Sequence, residues 1–246
     1  YLWPLISPQE SYADEARCWR DALRAHLGPG RHEILELGVG GGHNLSHLTA
    51  DFQATAVDIS EKMLANSIAL NPGVEHQVGD MRSVRLERCF KAVIAHDAID
   101  YMLTEADLRA AFATARAHLK PGGVFITSPD WFRETFDGTS VSHSIRRQGD
   151  LELTFIEHQT DSDPSDTVME SVMFYVINKG GRLAVEQDLH ITGLFPEATW
   201  LRLMDEAGFR VEKWPCSPRD DPRQSLLLID PVLLSVMPYP YQRHGL

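Results

Sequence analysis

Four glycines in five positions, Gly38-Val39-Gly40-Gly41-Gly42, stand between a short apolar strand pattern at 33–37 and a helical pattern that opens at Asn44. Positions without side chains let a ligand lie directly on the backbone, and a helix N-terminus next to them presents N–H groups and a favourable dipole. Glycine is also an entropically costly way to turn a chain, so a purely structural turn is the weaker explanation. The loop therefore predicts an α/β fold that holds a ligand at the C-terminal edge of its first strand.

The chain supports that class as far as residue 129. Strand patterns at 54–58, 74–78, 91–95 and 124–127 alternate with helical patterns at 61–71 and 108–119, after a leading amphipathic helix over 9–27. Such alternation predicts a doubly wound, mainly parallel sheet. Beyond Pro129 the rhythm changes: 150–158, 167–178 and 182–192 are strand-like with no helix between them. They predict an inserted antiparallel β layer over about 139–195. A helix at 198–207 and two strands at 210–214 and 225–229 then close the sheet with an antiparallel edge pair. The expectation is one domain over 1–246, a seven-stranded Rossmann-like sheet with a core of about 30–129 and 196–231.

Of the 246 residues, 35 are acidic and 23 basic, a net charge of −12. An acidic surface repels phosphate backbones, so nucleic acid is not the expected partner and a small molecule is. The longest apolar stretch, around 225–236, is broken by Asp230 and Pro231, so no membrane span is expected. No signal peptide is visible at Tyr1-Leu2-Trp3-Pro4. Cys18, Cys89 and Cys216 lie far apart without zinc-ligand spacing; they read as buried thiols of a cytoplasmic protein, with no metal site. A homodimer is open, and nothing in the sequence specifies one.

Two ligand classes use such a loop, dinucleotides and S-adenosylmethionine (SAM). A dinucleotide fingerprint places its third glycine three residues after the second, and here that place is His43. Asp58 at the end of the second strand suits ribose hydroxyls in either class; it also reads as a solvated strand end. Glu36 precedes the glycines, where an acid orients a cationic amino group. Asp80, in Val78-Gly79-Asp80-Met81, is placed to accept from an adenine amino group or to cap a turn. The ordered set E-L-G-x-G-x-G, A-V-D-I-S, G-D-M and L-K-P-G-G resembles the class I SAM-dependent methyltransferases over about residues 30–130.

The second half narrows the resemblance. Pro129-Asp130-Trp131-Phe132-Arg133-Glu134-Thr135-Phe136 resembles the P-W-W-F-x-E-T-F region of TDP-amino-sugar N,N-dimethyltransferases of antibiotic pathways. Asp188-Leu189-His190-Ile191-Thr192 and Leu194-Phe195 are similar to that family's D-x-H-x-I-T-L-F, and Ala207 to Glu212 to its A-G-L-x-V-E. Tyr1 and Tyr12 match two family tyrosines in spacing. The chain departs at 36–41, at 96–101 and at 215–221, where a glycine-rich run is replaced by Pro215-Cys216-Ser217-Pro218-Arg219-Asp220-Asp221.

The resemblance implies SAM as cofactor, held by Tyr12, Glu36, Gly38, Gly40, Gly42, Asp58, Ile59, Met63, Asp80, Met81 and Ala95. It aligns Tyr101 with a Tyr or His of the family, which makes Tyr101 a candidate to orient an amine acceptor and take up its proton; His96 joins it as a candidate by position alone, or else caps the next helix with Asp97. Asp97 and Asp100 would favour a cationic substrate. Trp131, Phe132 and His190 are candidates for the acceptor wall, with core packing or a sheet hydrogen bond as alternatives. Arg133, Arg146 and Arg147 either bind a diphosphate or are solvated charges. The function expected is methyl transfer to a small acceptor, on the amine of a nucleotide-linked amino sugar or on O or N of another metabolite. An NAD-dependent oxidoreductase, disfavoured by His43, and a non-catalytic SAM-binding protein are the alternatives.

Overall fold

The structure, a computed structural model, describes residues 2–215 and 225–231. Tyr1, the segment 216–224 with Cys216, and everything after Pro231 lie outside the described residues. In chain order the elements are α1 (Trp3–Ile6), a 3-10 turn (Gln9–Tyr12), α2 (Ala13–Leu27), β1 (Glu33–Leu37), α3 (His43–Ser46), β2 (Gln53–Asp58), α4 (Glu61–Leu70) and β3 (Glu75–Val78). There follow β4 (Phe90–Ala95), a 3-10 turn (Asp97–Tyr101), α5 (Glu105–Ala117), β5 (Leu119–Thr127) and a 3-10 turn (Arg133–Thr135). The antiparallel strands β6 (Thr139–Gln148), β7 (Leu151–Thr160), β8 (Val168–Lys179) and β9 (Arg182–Gly193) come next, then α6 (Glu197–Glu206), β10 (Phe209–Pro215) and β11 (Ser225–Pro231).

Seven strands form one sheet in the order β10-β11-β5-β4-β1-β2-β3, and β6 to β9 form a second sheet in sequence order. Strands β1 to β5 run parallel, while β11 lies antiparallel to both β5 and β10. The alternation of strand side chains sorts the core into two layers. Ile34, Ala54, Ala56, Ala92, Ile94 and Ile126 face Trp19, Leu23, Leu45 and Phe52. Leu35, Leu37, Val57, Val93 and Phe125 face Phe112, Trp200, Leu203 and Phe209. The strand order reverses between β1 and β4, and that crevice is where open α/β sheets bind ligands.

Differences from the sequence expectation are local. The insertion has four strands, with β6 added to the three read from the pattern, because its apolar Val141 and Ile145 point to solvent and give no buried stripe. The expected helix over 9–27 is a 3-10 turn followed by α2, and the helix after the glycines is a single turn, α3. The reading of buried thiols fails for both described cysteines: Cys18 is disulfide-bonded and Cys89 is free and exposed. Among the described residues no helix is long and apolar enough to cross a membrane.

Gly42, at φ +75°, shows why the loop must be glycine. A Cβ there would strike Ser67 Oγ and Asn71 Nδ2 on and just after α4, and Asn71 Nδ2 donates to Gly42 O at 3.0 Å. Left-handed backbone and overpacking both penalise a side chain at such a site. Gly42→Ala is expected to lose about 2–4 kcal/mol of stability, read from urea unfolding midpoints; wild-type stability would show that the loop yields freely.

Candidate active site

The glycine loop leaves β1 and is fixed to the end of β2. Gly38 N and Val39 N both donate to Val57 O, at 2.8 and 3.0 Å, and Gly40 N donates to Asp58 Oδ2 at 2.7 Å. The other carboxylate oxygen of Asp58 accepts from Ser60 N at 2.8 Å. Asp58 is thus a loop tie, and each oxygen keeps a further lone pair for a hydroxyl. Beside it Ile59 is 66% exposed, an apolar platform at the rim. Met63 reaches back from α4 over Gly40. Met81 is buried against the position a Gly38 side chain would occupy, and Ala95 is buried at the end of β4.

Asp80 is engaged by a neighbour two residues on. Arg82 donates to Oδ1 from its backbone N and Nε at 2.8 and 3.0 Å, and to Oδ2 from Nε and Nη2 at 3.0 and 2.6 Å. Three N–H groups, with Nε shared between the two oxygens, engage the carboxylate, and the Arg82 bonds hold its pKa below the usual aspartate value. Asp80 thus braces the turn after β3 through Arg82, and an adenine amino group would share the carboxylate with that guanidinium.

Beyond the loop the site is acidic, and one cation organises it. His96, at the end of β4, is buried under Trp19 of α2, with the ring centroids 5.2 Å apart. Its Nε2 lies 2.6 Å from Glu15 Oε1 and 3.1 Å from Asp97 Oδ1. Burial alone would lower its pKa, but Asp97, Glu15 and Glu36 outweigh it and raise the value to about 10. An imidazolium at neutral pH has no lone pair to accept a proton, so His96 is corrected from base to structural cation. Ligand atoms of Glu15, His96 and Asp97 converge within 4.8 Å, a convergence the two ion pairs explain without a metal. Sequence reading missed Glu15 altogether. The spacing Tyr12, Glu15, Trp19 on one helical face was the available signal.

Around His96 the carboxyl groups are protonated more readily than usual. Burial pushes Glu36 up to about 8, with Asp97 and Asp58 adding to it and His96 opposing; its Oε2 is buried with no donor. Burial and Asp130 raise Asp100, whose Oδ2 accepts from Asp130 N at 2.9 Å while Oδ1 has no partner. Asp130 opens to the crevice, yet the protein atoms crowding it and the charge of Asp97 push it up to about 7. Tyr12 covers this group at the start of α2: its hydroxyl bonds Ser7 Oγ at 2.7 Å, and burial raises its pKa to about 12.

On the acceptor side the structure joins two candidates that are 89 residues apart. Tyr101 Oη lies 2.5 Å from His190 Nδ1 of β9. Tyr101 is 49% exposed, yet partial desolvation of its ring, with Asp100 and Asp188 adding, raises its pKa to about 12. Trp131 is half-buried, its ring 5.3 Å from that of Phe136. Phe132 is not a wall: it is buried in the core against Trp200, a correction of the acceptor reading. Arg133 donates to the carbonyls of Pro164, Asp166 and Leu194, and Arg147 pairs with Glu152 at 2.6 Å, so neither is held ready for a phosphate. Among the described residues the buried Arg146 Nε has no partner.

A family model described as a methyltransferase domain matches residues 34–123. The chain is 34% identical over 205 residues to a dTDP-3-amino-3,4,6-trideoxy-alpha-D-glucopyranose N,N-dimethyltransferase of Streptomyces venezuelae, covering 82% of this chain and 85% of that protein. The chain belongs to this family of class I SAM-dependent methyltransferases. A dTDP-3-amino-3,6-dideoxy-alpha-D-glucopyranose N,N-dimethyltransferase of Streptomyces fradiae is 28% identical, over 85% of this chain and 82% of that one. The crystal structure of Streptomyces venezuelae DesVI matches with a TM-score of 0.81 at 29% identity, over 90% of this chain and 92% of that one. SAM-bound CalS10 of Micromonospora echinaspora, described as an amino pentose methyltransferase, shares the fold with a TM-score of 0.82 at 24% identity, over 94% and 97% of the chains. The methyltransferase is an enzyme that uses SAM on a small-molecule acceptor, which sets aside the oxidoreductase and the non-catalytic binder. The donorless Glu36 oxygen and the glycine cradle beside Asp58 fit that cofactor: a buried acceptor awaits an ammonium, and bare backbone awaits a nucleoside.

Glu36 gives a signed pH prediction for the protein without cofactor. Its folded pKa, about 8, exceeds the ordinary 4.5, so its contribution to stability is full below about 4.5 and is lost as pH rises towards 8. His96, raised from 6.5 to about 10, extends the decline in the same direction. Thermal unfolding of the cofactor-free Glu36→Gln variant should show a shallower fall of melting temperature between pH 5 and 8 than wild type. Parallel curves would mean that Glu36 ionises freely.

Proposed function

We propose that this enzyme methylates the amino group of a nucleotide-linked amino sugar, with Tyr101 as the residue that meets the amine. The observation that carries this reading is the Tyr101–His190 contact with the carboxyl groups of Asp97, Asp100 and Asp130 beside it, a polar setting able to hydrogen-bond an amine. The family's named activities, which are N,N-dimethylations of dTDP-amino sugars, supply the class of acceptor. SAM brings an electrophilic methyl group on a sulfonium, and the rate then depends on an in-line nucleophile held close to it.

The chain's part is to hold and to deprotonate. Glu36 would take the methionine ammonium, with Gly38, Gly40 and Gly42 lying under the cofactor and Tyr12 above it. Asp58 would offer its free lone pairs to the ribose, and Ile59, Met63, Met81 and Ala95 would line the adenine and ribose. Trp131 would close one side of the sugar pocket. We further propose a single domain over 1–246, no nucleic-acid or membrane partner, and a cytoplasmic location where SAM is supplied; the location no longer rests on cysteine usage, and a homodimer stays open.

The test is mass spectrometry of products from SAM and a panel of dTDP-3-amino and dTDP-4-amino sugars, alongside hydroxyl acceptors. One and then two added methyl groups on an amine are expected, and methylation confined to hydroxyls would overturn the reading. In parallel, Asp58→Ala should weaken S-adenosylhomocysteine binding by about 1.5–3 kcal/mol, roughly 10- to 150-fold, the range for a charge-assisted hydrogen bond. Calorimetry reads this directly, and unchanged affinity would leave Asp58 as a loop tie only.

A further inference from the structure

The contact between Tyr101 and His190 extends one residue further than the acceptor reading requires. Asp188 and His190 lie two apart on β9 and so share a face. His190 Nε2 is 3.5 Å from Asp188 Oδ2, while its Nδ1 faces Tyr101 Oη at 2.5 Å. The two ring nitrogens therefore have opposite partners, a carboxylate and a hydroxyl. A carboxylate favours N–H on the nitrogen it faces, which leaves Nδ1 as the acceptor for the Tyr101 proton. The His190 side chain is 28% exposed and that of Asp188 62%, so the far end of this chain reaches water.

We propose that Asp188 and His190 form a positioning pair that draws the Tyr101 proton toward Nδ1, so that the amine's proton leaves the site through Tyr101 and His190 to solvent. The proposal rests on the amine reading above. In each methyl transfer the nitrogen's lone pair forms the N–C bond, the S–C bond breaks, and the nitrogen must lose one proton. That proton passes to Tyr101 Oη as the tyrosine's own proton passes to Nδ1, leaving tyrosine neutral and His190 an imidazolium beside Asp188. Nε2–H then releases a proton to water, and the ring returns to its starting tautomer when Nδ1–H shifts its proton back through solvent. No oxidant or further reactant enters.

Other charges face the pair. Asp97 and Asp100 approach Tyr101 from its own turn, and Asp130 approaches it from the segment after β5. Ser171 of β8 stands opposite His190 and bonds Glu157 of β7 at 2.8 Å. None of these neighbours is a cation.

The experiment uses the full chain with a dTDP-3-amino sugar and SAM, and follows kcat and KM from pH 5.5 to 9. Glutamine keeps an acceptor for the Tyr101 hydroxyl but cannot carry the proton. His190→Gln should therefore lower kcat about 100-fold, the lower end for a general base, with both KM values within about twofold. Tyr101→Phe should lose a similar factor, and the double variant should lose no more than the worse single one. Asp188→Asn should lower kcat with both KM values held and should lose the Nε2–H preference in 15N spectra, since no carboxylate then favours that tautomer. Losses that multiply in the double variant, or a change confined to acceptor KM, would overturn the relay. A second readout needs no acceptor: 15N spectra of the S-adenosylhomocysteine complex should show His190 protonated on Nε2, with an Nδ1 shift that moves in Tyr101→Phe. An Nδ1–H tautomer would sink the pair whatever the substrate is. The expected spectra without methylation of any amine would sink the acceptor reading and support the pair.

Discussion

His96 keeps its positive charge inside the protein because Glu15 from α2 and Asp97 from the turn after β4 both face its Nε2, and the surrounding acids depend on that charge. It lowers the proton affinity of Glu36, Asp97, Asp100 and Asp130, each of which burial and mutual repulsion push the other way. Removing one partner of such a buried group costs more than the pair itself contributes, since the remaining charges lose their compensation. The N-terminal helix, the central sheet and the crevice are therefore coupled through a single imidazolium. The arrangement also explains how an acidic crevice can persist before a cationic ligand arrives: part of its charge is neutralised by protons and part by His96.

The sheet was legible because its strands alternate cleanly between two buried faces, and because the glycines and Pro-Gly breaks punctuate them. The loop's ligand class was legible for a steric reason, since His43 occupies the place where a dinucleotide loop needs its third glycine. Polar partnerships were not. Glu15 and His96 are 81 residues apart, and a glutamate on a helix reads as a solvated charge until the fold brings the histidine beneath it. Asp80 reads equally as an adenine acceptor or a turn cap, and only the fold shows Arg82, two residues on, bracketing it; the residue types were visible, the geometry of the donors was not. Phe132 looked like a pocket wall because an aromatic cluster has the same sequence signature in a core as in a site.

The inserted sheet and the central sheet meet through few but directed contacts. Arg133 ties the loop at 164–166 and Leu194 together through their carbonyls, Thr167 Oγ1 donates to Leu103 O at 2.9 Å, and Gly193 passes so close to Met102 O that no side chain fits between them. These contacts set where β9 runs relative to the turn that carries Tyr101. Deeper in the second sheet, Leu2, Leu153 and Ile177 form a small core of their own, with Leu5 and Ile6 of α1 packed against it. The N-terminal segment thus leans on the insertion at one end and covers the glycine loop at the other, where Trp3 approaches Gly41.

The hairpin that precedes His190 turns at Gly180 and Gly181, both with positive φ, and closes on the Lys179–Arg182 pair. Side chains alternate along β9, so a slip of one residue in that distant turn would send His190 to the opposite face while leaving the backbone ladder nearly as complete. On the relay proposed above, such a molecule would be folded yet slow, as His190→Gln is expected to be. If the relay holds, turnover per folded molecule gauges hairpin fidelity, and the two glycines at the far tip of the insertion set the register on which it depends.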